Sequence, residues 1–369
     1  MPINLDNILK IAQKLGASDT HLKVGRPPCY RIDGKIRALK DFQPLTSEDL
    51  EDIVKTILVT DDKFKELAEK KNLDPAYESS DVGRYRVNIF LQRGEHSVVL
   101  RTIPIKIPTA DEINLPEVIK EIALEERGLI LVTGITGSGK STTLAAMIDY
   151  INENKNAHIL TIEDPIEFVH KDKKCVINQR EIGKDATTFA DALRAALRQD
   201  PDVILVGEMR DLETIETALH AAETGHLVMS TLHTLDAKET INRIISQYPP
   251  HHQEQVRMQV AEVLKAVISQ RLLPKKTGKG RVPAIEILRT SARVRECIKV
   301  KEKTSELTDA MEQGHITVGM QTFDQCLLEL FNKDIISYEE AIKNANNPND
   351  FALKAQGIGG GGVGDAFES

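Results

Sequence analysis

The chain has 369 residues, enough for two domains at about 150 residues each, and 41% of them are hydrophobic. Its net charge of −8 and pI of about 5.8 weigh against a nucleic-acid motor, so no nucleic-acid partner is expected. No apolar run approaches the roughly 18 residues of a membrane span, and the first residues do not resemble a signal peptide. The four scattered cysteines form no C-x-x-C pair, which argues against a zinc ribbon or a disulfide framework. Together these features predict a cytoplasmic protein.

The chain opens with a mixture of helical and strand patterns. Apolar residues at helical spacing predict a helix over 5–15, and segment 18–39 predicts two strands followed by a hairpin at Asp33-Gly34. A capping box at Thr46 predicts a second helix, which should run toward residue 71.

Two alternating, β-rich segments complete this first region. Residues 84–90 and 97–103 predict a pair of strands around a tight turn. We therefore expect a small α+β domain over 1–103, followed by a proline-rich linker over 104–116.

From residue 117 the pattern changes to an alternation of helices and short apolar strands. The predicted strands cover 130–133, 158–162, 203–206, 227–231 and 284–288. Such alternation predicts the α/β class, with a parallel sheet covered by helices on both faces. We expect this core over 117–290, then a C-terminal helical segment over 291–355 and a flexible glycine-rich tail over 356–369.

The most informative stretch reads GITGSGKS at 134–141, between an apolar strand and a helix, and it fits the phosphate-binding pattern G-x-x-x-x-G-K-[ST]. Glycines let backbone N–H groups surround phosphate oxygens, and the helix N-terminus adds positive potential. Lys140 can reach the β- and γ-phosphates and the Ser141 hydroxyl can bind Mg²⁺, which predicts a site for ATP and Mg²⁺. The predicted nucleotide-binding residues here are Gly134, Thr136, Gly137, Ser138, Gly139, Lys140, Ser141 and Thr142.

Residues that follow the carboxyl ends of the other strands are the candidates for chemistry, because ligands bind at that edge of a parallel sheet. Glu208 follows the strand VILV and is predicted to activate the attacking water. Glu163 and Asp164 follow HILTI and could hold the Mg²⁺ shell or assist at the water. His233 follows LVMSTL and is predicted to sense the γ-phosphate.

Three further assignments have structural alternatives. Asp164 precedes a proline and can serve only to shape a turn. His233 can equally be a structural histidine. His226 is included among the nucleotide-binding candidates, but it precedes its strand and would lie on the order of 20 Å from His233, which favours a structural role.

Three arginines are candidates for a contact between subunits. Arg84, Arg86 and Arg101 lie on the last strands of the N-terminal domain, and Arg84 and Arg86 share one sheet face. In ring ATPases a neighbouring subunit or domain commonly supplies positive charge to the nucleotide, as an arginine finger does. A solvated surface is the alternative.

These motifs, in this order, resemble those of the PilT group of secretion ATPases, which power retraction of type IV pili. GITGSGKSTT resembles the family's Walker A motif, ILTIEDPIEF its Asp box, LRQDPDVILVGEMRD its Walker B motif and TGHLVMSTLHT its His box. SDTHLKVGRPPCYRIDGK and GRYRVNIF resemble its PAS-like N-terminal domain, and GMQTFDQCL resembles its C-terminal helical segment. The resemblance covers almost the whole chain.

The resemblance implies a RecA-like P-loop ATPase core, a homohexameric ring with ATP at subunit boundaries, and Glu208 as the catalytic glutamate. It also implies docking on an inner-membrane platform protein of the PilC type, and hence a cytoplasmic protein that is peripheral at the inner membrane. In one stretch the chain departs from the family, because SARVRECIKV stands at 291–300 where retraction ATPases usually carry AIRNL. An accessory retraction ATPase of the PilU type, acting beside a paralogue, is therefore an alternative.

Three other functions stay open. A pilus-assembly or type II secretion ATPase would usually be longer and would carry paired C-x-x-C zinc ligands, which this sequence lacks. A RecA-like nucleic-acid translocase is disfavoured by the acidic charge and by an aromatic content of 4%. A nucleotide-binding scaffold that hydrolyses nothing is disfavoured by Glu208.

Overall fold

The structure is a computed structural model that describes residues 4–32, 34–39, 42–103 and 106–356. The chain divides into two compact units, Met1–Lys106 and Ile107–Ser369. No helix in the described ranges is long and apolar enough to cross a membrane. The finer domain boundaries given above, including the linker over 104–116, stay predictions.

The N-terminal unit packs three helices against an antiparallel sheet. The helices are α1 (Leu5–Lys14), α2 (Ser47–Leu58) and α3 (Asp61–Lys70). The strands are β1 (Asp19–Lys23), β2 (Cys29–Ile32), β3 (Lys35–Ala38), β4 (Asn72–Leu73), β5 (Ala76–Ser79), β6 (Gly83–Gln92) and β7 (Glu95–Thr102). The strand order is β3-β2-β1-β7-β6-β4, and β5 also pairs with β6. Apolar side chains from the helices and from one sheet face form a single core.

The helix predicted from Thr46 toward residue 71 is two helices. Thr46 forms the predicted capping box at the start of α2, but Val59 has a φ of +61° that a right-handed helix does not accommodate. Thr60 then precedes α3. Asp33 of the predicted hairpin lies outside the described residues, while the flanking strands β2 and β3 pair antiparallel as expected.

The second unit alternates helices and strands over most of its length. Its helices are α4 (Val118–Ala123), α5 (Lys140–Asn154), α6 (Phe189–Ala196), α7 (Leu212–Glu223), α8 (Ala237–Ser246), α9 (Gln253–Val263), α10 (Ala292–Lys299), α11 (Leu307–Gln313), α12 (His315–Val318), α13 (Phe323–Asn332), α14 (Tyr338–Asn344) and α15 (Pro348–Ala355). Its strands are β8 (Gly128–Thr133), β9 (His158–Glu163), β10 (Val176–Glu181), β11 (Val203–Val206), β12 (Leu227–Leu232), β13 (Leu264–Pro274) and β14 (Arg281–Arg289). Short 3₁₀ helices cover Pro250–His252 and Lys301–Glu306.

These strands form one sheet in the order β10-β9-β11-β12-β8-β13-β14. The pairs from β10 through β13 are parallel, as the α/β pattern predicted, but β13 and β14 pair antiparallel. The expectation of a wholly parallel sheet was therefore wrong for the strand predicted at 284–288. The reason is local, because the polar turn KKTGKG joins β13 to β14 directly, and two strands joined by a short turn run antiparallel.

Helices cover both faces of this sheet. Apolar residues of α4 and α5 pack on one face, and those of α6 to α11 pack on the other. Ala110 and Leu115, from the segment that precedes α4, are buried in the first of these cores. The β13–β14 hairpin and helices α13 to α15 share a further apolar core. The strand β8 is buried at every position, so the loop that follows it has a fixed base.

Candidate active site

The predicted phosphate-binding loop lies between β8 and α5, and its glycines have backbone conformations that favour glycine. Gly134, Gly137 and Gly139 have φ values of +138°, +80° and +96°. A Cβ added at Gly134 would lie 2.4 Å from the carbonyl oxygen of Gln270 and 2.6 Å from the Ser138 hydroxyl. The loop therefore has the tight backbone, with left-handed glycines, that is typical of a phosphate cradle.

Lys140 begins α5, and its side chain turns back into the loop. Its Nζ donates hydrogen bonds to the carbonyl oxygens of Gly134, at 2.8 Å, and Ile135, at 3.1 Å, and the residue is only 8% exposed. Burial lowers the pKa of the ammonium group, while the carboxylates of Glu208 and Glu167 act in the opposite direction. Glu208, the predicted catalytic glutamate, is therefore close enough to the loop to influence the pKa of Lys140.

A cavity of about 410 Å³ lies beside the loop and is lined by both polar and apolar side chains. Its walls include Asn114, Thr142, Arg281 and, from the loop and the adjacent strand, Ser138 and Gln270. The Ser138 hydroxyl and Gln270 Oε1 are buried and have no hydrogen-bond partner among the described residues. Buried polar atoms are normally satisfied, so this cavity is suited to a ligand that has both polar and flat apolar parts.

Glu208 lies just beyond the end of β11, where the sequence predicted it. Its Oε1 accepts a hydrogen bond from Nε of Arg210 and lies 3.5 Å from Nε2 of His233, and its side chain is 17% exposed. The hydrogen bond to Glu208 raises the pKa of Arg210. The structure thus brings Glu208 and His233 together at one end of the sheet. Arg210 was missed, although its position two residues after Glu208 in GEMRD was a usable signal.

Glu163 ends β9 and is more enclosed than the sequence suggested. Its Oε1 accepts hydrogen bonds from the Thr161 hydroxyl, at 2.6 Å, and from Nε2 of Gln179, at 3.1 Å. Burial raises the pKa of the Glu163 carboxyl, and these two donors partly oppose that effect. Gln179 lies on β10, a strand that the sequence analysis did not predict, so its contact with Glu163 was also missed.

Asp164 is exposed, and its charge acts on Arg210. Glu163, Asp164, Glu208 and Lys140 all lie at the carboxyl edge of the parallel strands. No group of three or more His, Cys, Asp or Glu side chains within the described part of the chain could hold a metal ion on its own. Mg²⁺ usually keeps several waters and takes one or two carboxylates together with substrate phosphates. The donor set of Ser141, Glu163 and Asp164 fits that mode of binding.

His226 lies at the opposite edge of the sheet. It precedes β12, its carbonyl oxygen accepts from the N–H of Gly128 at the start of β8, and its Nδ1 is 3.0 Å from the Ala221 carbonyl oxygen. It lines a separate polar cavity of about 410 Å³ with Asp202 and Lys155. Because β8 and β12 are parallel and in register over six residues, a whole strand length separates His226 from the loop of the same chain. His226 and His233 are therefore not brought together.

The three candidate arginines lie in the N-terminal unit. Arg84 and Arg86 alternate with buried Tyr85 on β6, and Arg86 is the direct neighbour of Arg101 on β7. Nε of Arg101 donates to Oδ1 of Asp19 at 2.8 Å, and Asp19 is buried. The arginines thus share one sheet face, and Arg101 is held by an ion pair.

Comparisons with known proteins identify the family to which the chain belongs. Residues 4–329 match the family model described as type II/IV secretion system protein. The type IV pilus retractation ATPase PilT of Pseudomonas aeruginosa is 47% identical over 95% of this chain and 100% of its own length. The type IV pilus ATPase PilU of the same organism is 39% identical over 95% of this chain and 91% of its own.

A solved structure gives the same result for the fold. The crystal structure of the pilus retraction motor PilT with bound ADP superimposes with a TM-score of 0.88, at 48% identity, over 94% of this chain and 98% of that one. The predicted fold class, a P-loop ATPase core with a smaller N-terminal domain and a helical C-terminal segment, is confirmed. The chain belongs to the type II/IV secretion system protein family and is a nucleotide-binding ATPase of that family.

Proposed function

We propose that this ATPase powers the retraction of type IV pili, as a homohexamer that couples Mg-ATP hydrolysis to domain motions against an inner-membrane platform protein of the PilC type. The observation that carries the proposal is the convergence of Lys140, Glu208 and Glu163 on one sheet edge, in a chain 47% identical to a pilus retractation ATPase. The protein would then work in the cytoplasm, peripheral at the inner membrane.

The proposed roles follow from the contacts of each group. The backbone of residues 134–139 and the Lys140 ammonium hold the phosphates, and Lys140 exchanges its contacts with the loop carbonyls for phosphate oxygens. Mg²⁺, when bound with ATP, neutralises charge on the phosphate oxygens. The Ser141 hydroxyl and the carboxylate of Asp164 or Glu163 would hold the Mg²⁺ ion.

Hydrolysis also needs an oriented water. Glu208 accepts its proton, and Arg210 and His233 orient the Glu208 carboxylate through contacts with its Oε1. Glu163 is half-buried and carries a raised pKa, so it serves as a second acceptor in this arrangement. The cavity beside Ser138 and Thr142 takes the base and ribose of the nucleotide. Arg84, Arg86 and Arg101 contribute positive charge to the nucleotide of a neighbouring subunit.

A second candidate is an accessory retraction ATPase that works beside a paralogous motor. The stretch SARVRECIKV at 291–300, where retraction ATPases usually carry AIRNL, favours this candidate. In the structure this stretch begins with the capping residue Ser291 and forms α10.

The deciding experiment deletes the gene and counts surface pili by electron microscopy alongside twitching motility. Many pili without movement would support the retraction motor, and plasmid-borne wild type, but not the Glu208→Gln variant, should restore movement. Bald cells would contradict the proposal and indicate an assembly ATPase. Normal pili with normal or slightly weakened movement would contradict the role of principal motor and favour the accessory one.

A further inference from the structure

Glu286 is a buried carboxylate that takes no part in the proposed chemistry. It lies on β14, which is separated by β13 from β8, the strand that leads into the phosphate-binding loop. Glu286 is at the centre of β14, is 2% exposed, and faces the same side of the sheet as α8. Carboxylates are rarely buried to this degree unless something holds them. Its partners therefore indicate why it is there.

On one side Glu286 is connected to the end of β8. Ser269 of β13 lies directly opposite Glu286 in the antiparallel pair, and its hydroxyl acts to lower the pKa of the carboxyl. The Thr133 hydroxyl donates to Ser269 Oγ at 3.1 Å, and both residues are fully buried. Thr133 is the residue immediately before Gly134, so this chain of polar groups starts at the base of the phosphate-binding loop.

On the other side Glu286 holds the start of α8. Its Oε1 accepts a hydrogen bond from the backbone N–H of Ala237, the first residue of that helix, at 2.8 Å. This N–H has no partner within the helix and would otherwise be a buried, unsatisfied donor. The carboxylate thus fixes the position of the first turn of α8 relative to β14.

The segment between His233 and α8 is also hydrogen-bonded to the first turn of α8. The buried hydroxyls of Thr234 and Thr240 are 2.6 Å apart, and the N–H of Leu235 donates to Glu239 at 2.8 Å. His233 directly precedes this fastened segment and contacts Glu208. A displacement of the first turn of α8 would therefore displace His233.

We infer that Glu286 is a positioning residue, which fixes His233 relative to the phosphate-binding loop through the buried path Thr133–Ser269–Glu286–Ala237. The inference rests on the proposed role of His233 at Glu208. Glu286 would then maintain the distance between the base of the loop and His233, without contacting the nucleotide.

The test combines steady-state ATPase kinetics with a double-mutant cycle. Glu286→Ala should lower kcat by about tenfold with KM for ATP changed less than twofold, because it leaves the Ala237 N–H unpaired and frees the His233 segment. Glu286→Gln should recover kcat to within about threefold, since an amide oxygen still accepts from Ala237. In a His233→Gln background, Glu286→Ala should cost little more, because both changes disable the same contact.

Two controls separate positioning from general destabilisation. Ser291→Ala removes the acceptor of another helix N-terminus, at α10, and should lower the melting temperature without lowering kcat. Deuterium exchange should rise in the segment 233–237 of Glu286→Ala while the segment 203–206 stays protected. This second measurement needs no ATPase activity, so a wild type that hydrolyses nothing would overturn the proposed function and leave the exchange result to decide the inference.

Multiplicative losses of kcat in the double variant would overturn the inference. So would an unchanged kcat in Glu286→Ala, an equal loss of kcat in Ser291→Ala, or unchanged exchange over 233–237.

Discussion

The Thr161 hydroxyl donates to Oε1 of Glu163 at 2.6 Å, and the two residues are neighbours on one face of β9. Burial raises the pKa of Glu163, and this O–H donor opposes the rise because it favours the ionised form. A hydroxyl two residues before the end of β9 thus influences the pKa of the carboxyl that ends the strand.

Thr161→Val should therefore raise the pKa of Glu163 further. If ionised Glu163 assists hydrolysis, activity is lost as pH falls through its pKa, so the acid limb of the kcat profile should move to higher pH by about one unit. The measurement is kcat from pH 5.5 to 8.5, with Thr161→Ser, which keeps the hydroxyl, as the control. Superimposable profiles for the valine and wild-type proteins would exclude Glu163 from the rate-determining step.

Gly134→Ala should abolish tight nucleotide binding. The added Cβ would meet the Gln270 carbonyl oxygen at 2.4 Å, and a φ of +138° strains an alanine by itself, by about 1–3 kcal/mol. Fluorescent ADP binding should weaken by at least tenfold. Gly183→Ala is the matched control, because Gly183 has a φ of +82° but open space around its Cβ position, so it should retain nucleotide affinity. Equal affinities in the two variants would mean that the loop adapts to the extra atom.

Stability should depend on pH through Glu286. Burial raises the pKa of this carboxyl to about 7, Asp236 adds to the rise, and the Ala237 N–H, Arg271 and Ser269 oppose it. The folded protein therefore binds the Glu286 proton more tightly than the unfolded chain does. The contribution of protonated Glu286 to the free energy of unfolding is complete below about pH 4.5 and is lost as pH rises to about 7.

Glu286→Gln removes that dependence. Relative to wild type, the free energy of unfolding of the glutamine variant should improve by about 2 kcal/mol between pH 5.5 and pH 8. Urea unfolding at the two pH values measures the difference. Leu288→Val, an apolar change on the same strand, should lower the free energy of unfolding by the same amount at both pH values. A difference between Glu286→Gln and wild type that does not change with pH would contradict the assigned protonation.

A mixing experiment tests the arginine face of the N-terminal unit. Arg101→Ala and Glu208→Gln subunits should each be inactive alone, but mixed rings should regain part of the wild-type ATPase activity. The reason is that an intact Arg101 can then serve a neighbour with an intact Glu208. Arg37→Ala, on the exposed strand β3, should be active without mixing. A mixture no more active than its components would assign these arginines to a solvated surface.

Much of the fold could be predicted because its signals are local. An apolar run followed by glycines, Lys140 and a helix predicts the phosphate-binding loop. Polar residues that follow strands single out Glu208, Glu163 and His233 as candidates at one end of the sheet. The end of α2 at Val59 was not predicted because it depends on one positive φ angle. The antiparallel direction of β14 was not predicted because it depends on the short turn between β13 and β14. Gln179 and Glu286 were missed because their contacts depend on which strands become neighbours in the sheet. Arg210 was missed although the signal, two residues after Glu208, was local.

The position of β8 has a mechanical consequence. It is hydrogen-bonded to β12 on one side and to β13 on the other, so the phosphate-binding loop is rooted in an interior strand. Interior strands open only with the global unfolding of a domain, whereas loops and edges open at much lower cost. The sheet can therefore serve as a rigid base. A conformational change that begins at the nucleotide would then displace the surrounding loops and leave the sheet itself unchanged.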